Sequence, residues 1–313
     1  MRKLAILHHQ CKQWIPALQQ AEPRLEIRGW HPQDPAPDPV WLADCEALFA
    51  WNIPLGFLGL MPALRWVQNS GAGVDHLVAH PELAAGVILT RVDGQFGFWM
   101  ARYALGHFLG EVQRIEACRE EQERHHWDGR LLAEGVTGKS ALVVGFGRIG
   151  RRIGQAFQSL GMEVRGFVRT PRTDPDFALS IADDLKLWLP QARVCVICAP
   201  LTTETRGFVN AELLAHSNPA LTLINVGRGE QVVIPDLLAA LDLGRLHRAV
   251  LDVVPQEPLP ADSPLWSHPG ITLTPHHAGP SLPEAILPDI LPNLRRYAEG
   301  LPILGGVDRV RGY

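Results

Sequence analysis

The run ALVVGFGRIGRRIGQAFQSLG, residues 141–161, constrains this chain more than any other stretch. Four apolar residues lead straight into Gly145, Gly147 and Gly150, spaced as G-x-G-x-x-G, and an amphipathic segment follows. The spacing alone is weak evidence. Its place between a strand and a helix gives it content, because the glycines permit a tight turn while N–H groups at the helix start face an anion such as a pyrophosphate. The candidate dinucleotide contacts here are Gly145, Gly147, Arg148, Ile149 and Gly150. A rival phosphate motif, GKS at 138–140, fails. Ala133 stands where a P-loop needs its first glycine, and a strand follows instead of a helix.

Short apolar runs alternate with longer helical patterns almost throughout, which argues for parallel α/β architecture. Before the glycine loop they are KLAIL (3–7), LEIRG (25–29), ALFAW (47–51) and RWVQN (65–69). From it onward they are ALVVGFG (141–147), EVRGFV (163–168), RVCVICAP (193–200), LTLINVGRG (221–229), HRAVLDVV (247–254) and ITLTP (271–275). A chain of 313 residues, 46% of them hydrophobic, is long for one core and can fill two. Six strands complete a doubly wound unit, and the short tail after it is expected to return to the first domain. The expected fold is two doubly wound parallel-sheet domains. A Rossmann cofactor domain (96–282) is inserted in a flavodoxin-like substrate domain formed by 1–95 and 283–313. The Pro-rich HPQDPAPDPV (31–40) reads as loop or extended chain, and 94–124 as one long helix crossing between domains.

The end of the second strand of the cofactor unit chooses between nicotinamide cofactors. An NAD site wants Asp or Glu there for the ribose hydroxyls; this chain has GFVRTPR (166–172). Arg169, Thr170 and Arg172 suit a 2′-phosphate, with no carboxylate in the segment to repel it, so NADP(H) is expected ahead of NAD(H). Val226, ending the strand LTLINV, is a further candidate contact.

Ligands of such sheets bind outside the carboxyl ends of the strands. Arg228 follows LTLINV, Glu257 follows AVLDVV after a short PQ loop, and His276 follows ITLTP. An arginine there binds and polarises an oxo acid, a histidine gives a proton to the carbonyl oxygen, and a carboxylate orients and charges the imidazole. Each alone is more readily structural; their convergence is what points to chemistry. Either His276 or its neighbour His277 is open to the role on position alone.

These residues and motifs resemble the D-2-hydroxyacid dehydrogenases over most of the chain. The resemblance lies in SGAGVD (70–75), VTGKSALVVGFGRIG (136–150), CAPLTTETRGFVN (198–210), INVGRGE (224–230), LDVVPQEPLP (251–260) and TPHHAG (274–279). The closing VDRVRGY (307–313) is similar to the glyoxylate/hydroxypyruvate reductase A branch. The resemblance implies that His276, directly after Pro275, is the catalytic histidine, with Glu257 and Arg228 as partners. It implies that the Ala72 and Gly73 amides take the substrate carboxylate, that Asp252 lies near the nicotinamide amide, and that Pro200 and Thr205 lie beside the cofactor. It also implies NADPH preference and a homodimer built around the long helix near 98–124. Two departures stand out: Arg102 where relatives often carry Glu, and Pro280, Pro283, Pro288 and Pro292 in the returning segment. A proline inside a helix costs roughly 3 kcal/mol or more, so that helix is expected to be broken or to begin late.

Other signals read as structural. Cys195 and Cys198 form C-x-x-C, but three residues apart on one strand they face opposite sides and cannot share a site. His76 and His80 lack the Glu of H-E-x-x-H and read as a surface helix. His8 with His9, and His125 with His126, read as exposed loop pairs. Trp51 is equally consistent with packing and with lining the substrate pocket. No metal site is expected.

The expected activity is NADPH-dependent reduction of small 2-oxo acids, glyoxylate and hydroxypyruvate first. The rivals are a bulkier oxo acid such as phenylpyruvate, or a dinucleotide-sensing binding protein. A formal charge of −4 gives no nucleic-acid footprint, and no apolar run reaches the 18 residues of a membrane span. The run LAIL is too short for a secretory signal, and five cysteines suit a reducing compartment, so cytoplasmic location is expected.

Overall fold

The ten apolar runs expected as strands all become parallel strands. In the computed structural model, which describes residues 1–34, 38–92 and 94–310, the chain divides into two compact units. One comprises 1–96 and 280–313, the other 97–279. The expected loop at 31–40 falls partly outside the described residues (35–37), as does the end of VDRVRGY (311–313).

The first unit contains β1 (Arg2–Leu7), α1 (Cys11–Ala21), β2 (Leu25–Trp30), α2 (Pro39–Ala43), β3 (Ala47–Ala50), β4 (Trp66–Asn69), α3 (Asp75–Val78) and β5 (Ile88–Thr90). Its sheet order is β2-β1-β3-β4-β5, all parallel, which is the flavodoxin-like order. The Pro-rich stretch is not all loop. Asp38 accepts hydrogen bonds from the Val40 and Trp41 amides, and Pro39 opens α2, where its missing N–H costs nothing. Strand β5, the three residues ILT, is not among the runs expected from the sequence.

Helix α4 (Phe96–Val112) leads into the second unit, and α5 (Ile115–Glu123) follows it. The single helix expected over 94–124 is therefore two. Ala101, Ala104, Phe108 and Val112 bury one face of α4 against the second unit's core, where Phe108 and Phe157 meet edge to face with centroids 5.4 Å apart. Beyond Val112 no apolar face continues, Arg114 turns left-handed (φ 57°), and α5 buries none of its residues. Helical propensity without a buried stripe did not carry the helix on.

The second unit holds β6 (Ser140–Val144), α6 (Arg148–Gln158), β7 (Glu163–Val168), β8 (Ala178–Ile181), α7 (Leu185–Trp188), β9 (Ala192–Ile197), α8 (Ala211–Leu214), β10 (Thr222–Asn225), α9 (Ile234–Asp242), β11 (Arg248–Leu251) and β12 (Ile271–Leu273). Its sheet runs β8-β7-β6-β9-β10-β11-β12, all parallel. Counted from β6 this is the doubly wound order 3-2-1-4-5-6 with a seventh strand added. The extra strand over the six expected is β8, an edge strand of half-exposed residues that shows no apolar run.

The chain returns to the first unit through α10 (Pro283–Glu299), which runs unbroken through Pro288 and Pro292, against expectation. Its buried stripe is Pro283, Ile286, Ile290, Leu294 and Tyr297, whereas Pro288 and Pro292 stand four apart on the exposed side. The carbonyls their missing N–H groups leave bare, those of Glu284 and Pro288, lie on that same wet side. On that side the bare carbonyls are open to solvent, and the buried stripe holds the helix.

Candidate functional site

The glycine loop is the turn from β6 into α6. Gly145 has φ 93°, a left-handed conformation that favours glycine, and any Cβ there would run into the Ala199 backbone. Gly147 is the N-cap of α6 and exposed, with open space where its side chain would be. No side chain caps the helix and no acidic residue occupies its first turn. The N–H groups and positive dipole end of an eleven-residue helix therefore face open space, which fits a pyrophosphate. Arg148 is exposed and Ile149 half-buried at the helix start, and Gly150 is buried against the Gly145 carbonyl.

Arg169, Thr170 and Arg172 lie exposed just past the end of β7. Arg172 donates to the Phe146 carbonyl within the glycine loop. Arg169 is paired at 2.7 Å with Glu204, carried in from the loop after β9. The expectation that no carboxylate stands here is thus corrected: none lies within 166–172, but the fold brings one from 35 residues away. The same loop is tied by Thr205, whose hydroxyl donates to the Pro200 carbonyl at 2.7 Å and accepts from the Thr202 amide at 2.8 Å. Val226 is buried at the end of β10, its amide on the Ile197 carbonyl.

Three loops at the carboxyl ends of β10, β11 and β12 carry the charged residues. Arg228 is half-buried, its backbone N–H on the Gln231 side chain and its carbonyl receiving the Asn225 amide. Gly229 packs so closely on the Val254–Pro255 backbone that a side chain would separate the β10 and β11 loops. Glu257 Oε2 accepts from His276 Nδ1 at 2.8 Å, and its Oε1 receives the Val254 amide at 3.2 Å. Burial works against the Glu257 carboxylate. The His276 hydrogen bond and charge, the Val254 amide and the Arg228 charge together outweigh it and hold the group below the usual carboxylate range. His277 makes no such pair: its ring meets Tyr103 edge to face at 5.8 Å and its amide binds Asp252.

Asp252 is buried directly after β11. Its carboxylate accepts from the Thr274 hydroxyl (2.7 Å) and from the His277 and Ala278 amides (2.9 and 3.0 Å). Tyr103 of α4 meets Thr274 Oγ1 at 2.6 Å. Thr274 opens the motif TPHHAG but Tyr103 belongs to none of those quoted, and their separation of 171 positions hides the contact from sequence.

In the first unit, SGAGVD turns at the end of β4. Asn69 donates to the Gly71 and Gly73 carbonyls (3.0 and 2.8 Å), and the half-buried Ala72 and Gly73 form no amide hydrogen bond among the described residues. The Trp51 ring lies over Gly71 and 4.5 Å, centroid to centroid, from His76. His76 and His80 are not surface-helix histidines. They bind the Trp51 and Ile53 carbonyls at 2.7 and 3.0 Å and so fasten the loop after β3. Arg91, following the unanticipated β5, reaches the Ala72 carbonyl at 3.5 Å.

The remaining signals resolve simply. Cys198 lies just past β9, which ends at Ile197; Cys195 is buried and Cys198 half-buried, and burial pushes both thiols up to about 12. Among the described residues no three His, Cys, Asp or Glu side chains cluster to hold a metal, and no helix is long and apolar enough to cross a membrane. His8 is buried, not a loop residue: it lies between Trp14 and Phe49 and accepts the Gln10 amide on Nδ1. His125 and His126 are exposed, as expected.

A dinucleotide cradle beside an arginine and a histidine–carboxylate pair defines a nicotinamide-dependent oxidoreductase. Residues 105–278 match the family model described as D-isomer specific 2-hydroxyacid dehydrogenase, NAD binding domain. The chain is 33% identical over 308 residues to glyoxylate/hydroxypyruvate reductase A of Salmonella choleraesuis (strain SC-B67), covering 96% of each. It belongs to the D-isomer specific 2-hydroxyacid dehydrogenase family. Among solved structures it is similar to the family member from Xanthobacter autotrophicus Py2 in complex with NADPH and MES, at TM-score 0.88, 33% identity and full coverage of both chains. It is also similar to the NADPH-dependent glyoxylate/hydroxypyruvate reductase of Sinorhizobium meliloti in complex with NADP and sulfate. That match has TM-score 0.89, 29% identity and full coverage of both chains.

Proposed function

We propose that this enzyme reduces small 2-oxo acids, glyoxylate and hydroxypyruvate first, with NADPH. The carrying observation is the His276 Nδ1–Glu257 pair at 2.8 Å, in loops adjoining the one that bears Arg228. With Nδ1 on Glu257, Nε2 is the nitrogen of His276 that gives its proton to the substrate's carbonyl oxygen. Glu257, held as a carboxylate, orients the ring by accepting from its Nδ1. Arg228 binds the oxo acid and polarises its carbonyl. The amides of Ala72 and Gly73 take the substrate carboxylate, with Trp51 as a lining residue.

When bound, the nicotinamide supplies the hydride to the carbonyl carbon. Gly145, Gly147, Arg148, Ile149 and Gly150 would hold its pyrophosphate, with Pro200, Thr205, Val226 and Asp252 beside it. Arg169, Thr170 and Arg172 would take the 2′-phosphate. Glu204 competes for Arg169, but an exposed pair is worth only about 0–1 kcal/mol, and a phosphate with more charge and more acceptors displaces it. The NADPH- and NADP-bound relatives support this cofactor. A homodimer is part of the same reading, supported by the unburied α5 and the exposed Ile115, Trp127 and Leu132.

Initial rates of NADPH and NADH oxidation with glyoxylate, hydroxypyruvate, pyruvate and phenylpyruvate test the proposal. Fast turnover of the first two with NADPH is expected. Preference for NADH would overturn the phosphate assignment, and preference for phenylpyruvate the substrate class.

A further inference from the structure

His276 stands in a left-handed conformation (φ 52°), which costs a non-glycine residue roughly 1–3 kcal/mol, so its surroundings must impose it. Its own amide binds the Asp252 and Thr274 carbonyls (2.9 and 3.1 Å), and the next two amides bind the Asp252 carboxylate. Three of these four backbone contacts therefore fall on Asp252. The carboxylate in turn accepts the Thr274 hydroxyl proton at 2.7 Å. Thr274 has one hydroxyl proton and spends it on Asp252, so in the 2.6 Å contact with Tyr103 the tyrosine is the donor. The direction of the chain is thus settled: Tyr103 Oη–H to Thr274 Oγ1, and Thr274 Oγ1–H to Asp252 Oδ1. Tyr103 is itself anchored, half-buried on α4 with its ring 4.5 Å from that of His107.

We infer that Tyr103 and Thr274 are positioning residues for His276, acting through the Asp252 carboxylate that holds the 276–278 backbone. The inference rests on the reading of His276 as the proton donor. Loss of the chain lets Asp252 turn, relaxes the left-handed bend and loosens Nδ1 from Glu257, while the glycine loop is untouched.

The test compares Thr274→Val, Thr274→Ser, Tyr103→Phe, the Tyr103→Phe/Thr274→Val double variant and His276→Ala, with NADPH and glyoxylate. Valine matches threonine in shape but neither gives nor takes a hydrogen bond. A misplacement of the donor by a fraction of an ångström to one ångström lowers kcat about 10- to 100-fold, which is the expectation for Thr274→Val. Tyr103→Phe should lose roughly three- to tenfold, and the double variant no more than Thr274→Val, since both act through one chain. Thr274→Ser, which keeps the hydroxyl, should keep most of the wild-type kcat. Equal loss in the valine and serine variants, or kcat, KM and thermal midpoint worsening together, would mean a packing role and overturn the inference. Full activity in Thr274→Val would do the same. Undiminished turnover in His276→Ala would overturn the reading of His276 itself, and the inference with it; a dead His276→Ala beside a silent Thr274→Val isolates the failure to the inference.

Discussion

The two sheets are built alike yet present different chemistry at their strand ends. After β3 and β4 the first unit offers main-chain amides and an indole, fastened by Asn69, His76 and His80. After β10, β11 and β12 the second unit offers an arginine, a carboxylate and an imidazole, fastened by Gln231 and Asp252. Backbone donors carry no proton that chemistry can use, so they suit recognition of a fixed charge. Titratable side chains suit work on a bond that changes. In both units polar side chains serve as struts: the group that would meet a ligand is held by one that would not.

That contrast can be broken by substitution. The largest effect is expected at His276→Ala, with kcat lower by about 10²- to 10⁴-fold, the usual worth of a positioned general acid, and an unchanged KM for NADPH. Steady-state rates across substrate and cofactor concentrations decide it. A loss confined to KM would assign the side chain to binding and erase the distinction between the units.

Acid should also separate them. Burial first, and the His9 charge second, push His8 down to about 4, so the fold prefers its neutral form, the one whose Nδ1 accepts the Gln10 amide. That stability is complete above the ordinary histidine value of about 6.5 and is lost as pH falls through 4, about 3 kcal/mol in all. In the second unit the Arg193 hydrogen bond, opposed by burial and joined by Lys139, brings Glu134 down to about 2. Its contribution holds above the ordinary carboxylate value and fails only between about 4.5 and 2. Urea midpoints from pH 7 to 4.5 should therefore fall in wild type, less in His8→Asn, and to the wild-type extent in Glu134→Gln. A fall that His8→Asn does not reduce would assign the acid sensitivity elsewhere.

A smaller effect sharpens the backbone claim. Ala72→Pro deletes one amide donor and should raise the oxo-acid KM about tenfold, in the range of a hydrogen bond to a charged group. Ala72→Ser should change it less than about twofold, since no side chain is needed there. The smallest expected effect is at Glu204→Gln. Removing the competitor for Arg169 should lower the KM for NADPH by about two- to fivefold and leave that for NADH alone. An equal change for both cofactors would detach Glu204 from the 2′-phosphate.

What sequence could and could not tell follows the range of the interactions. Ten of the twelve strands, the glycine loop and the placement of Arg228, Glu257 and His276 at strand ends are local patterns, so they are legible. Strands β5 and β8 were not, because ILT and the edge strand ALSI carry too little apolar signal. The break after Val112 was invisible because a charged segment with good helical propensity looks continuous until its missing buried face is known. Glu204 against Arg169, Tyr103 against Thr274, and His8 between Trp14 and Phe49 are products of topology and leave no mark in spacing.

The prolines of α10 carry a consequence for how this helix tolerates change. With Pro288 and Pro292 on its wet side and Ile286, Ile290 and Leu294 on its dry side, the helix is phased like a key. Inserting one residue before Pro288 would rotate it and the following prolines by about 100°, swinging ring and bare carbonyl toward the β1–α1 core. Point substitutions on the wet face should pass, whereas single-residue insertions and deletions should not. In this segment the length of the chain is under tighter constraint than its composition.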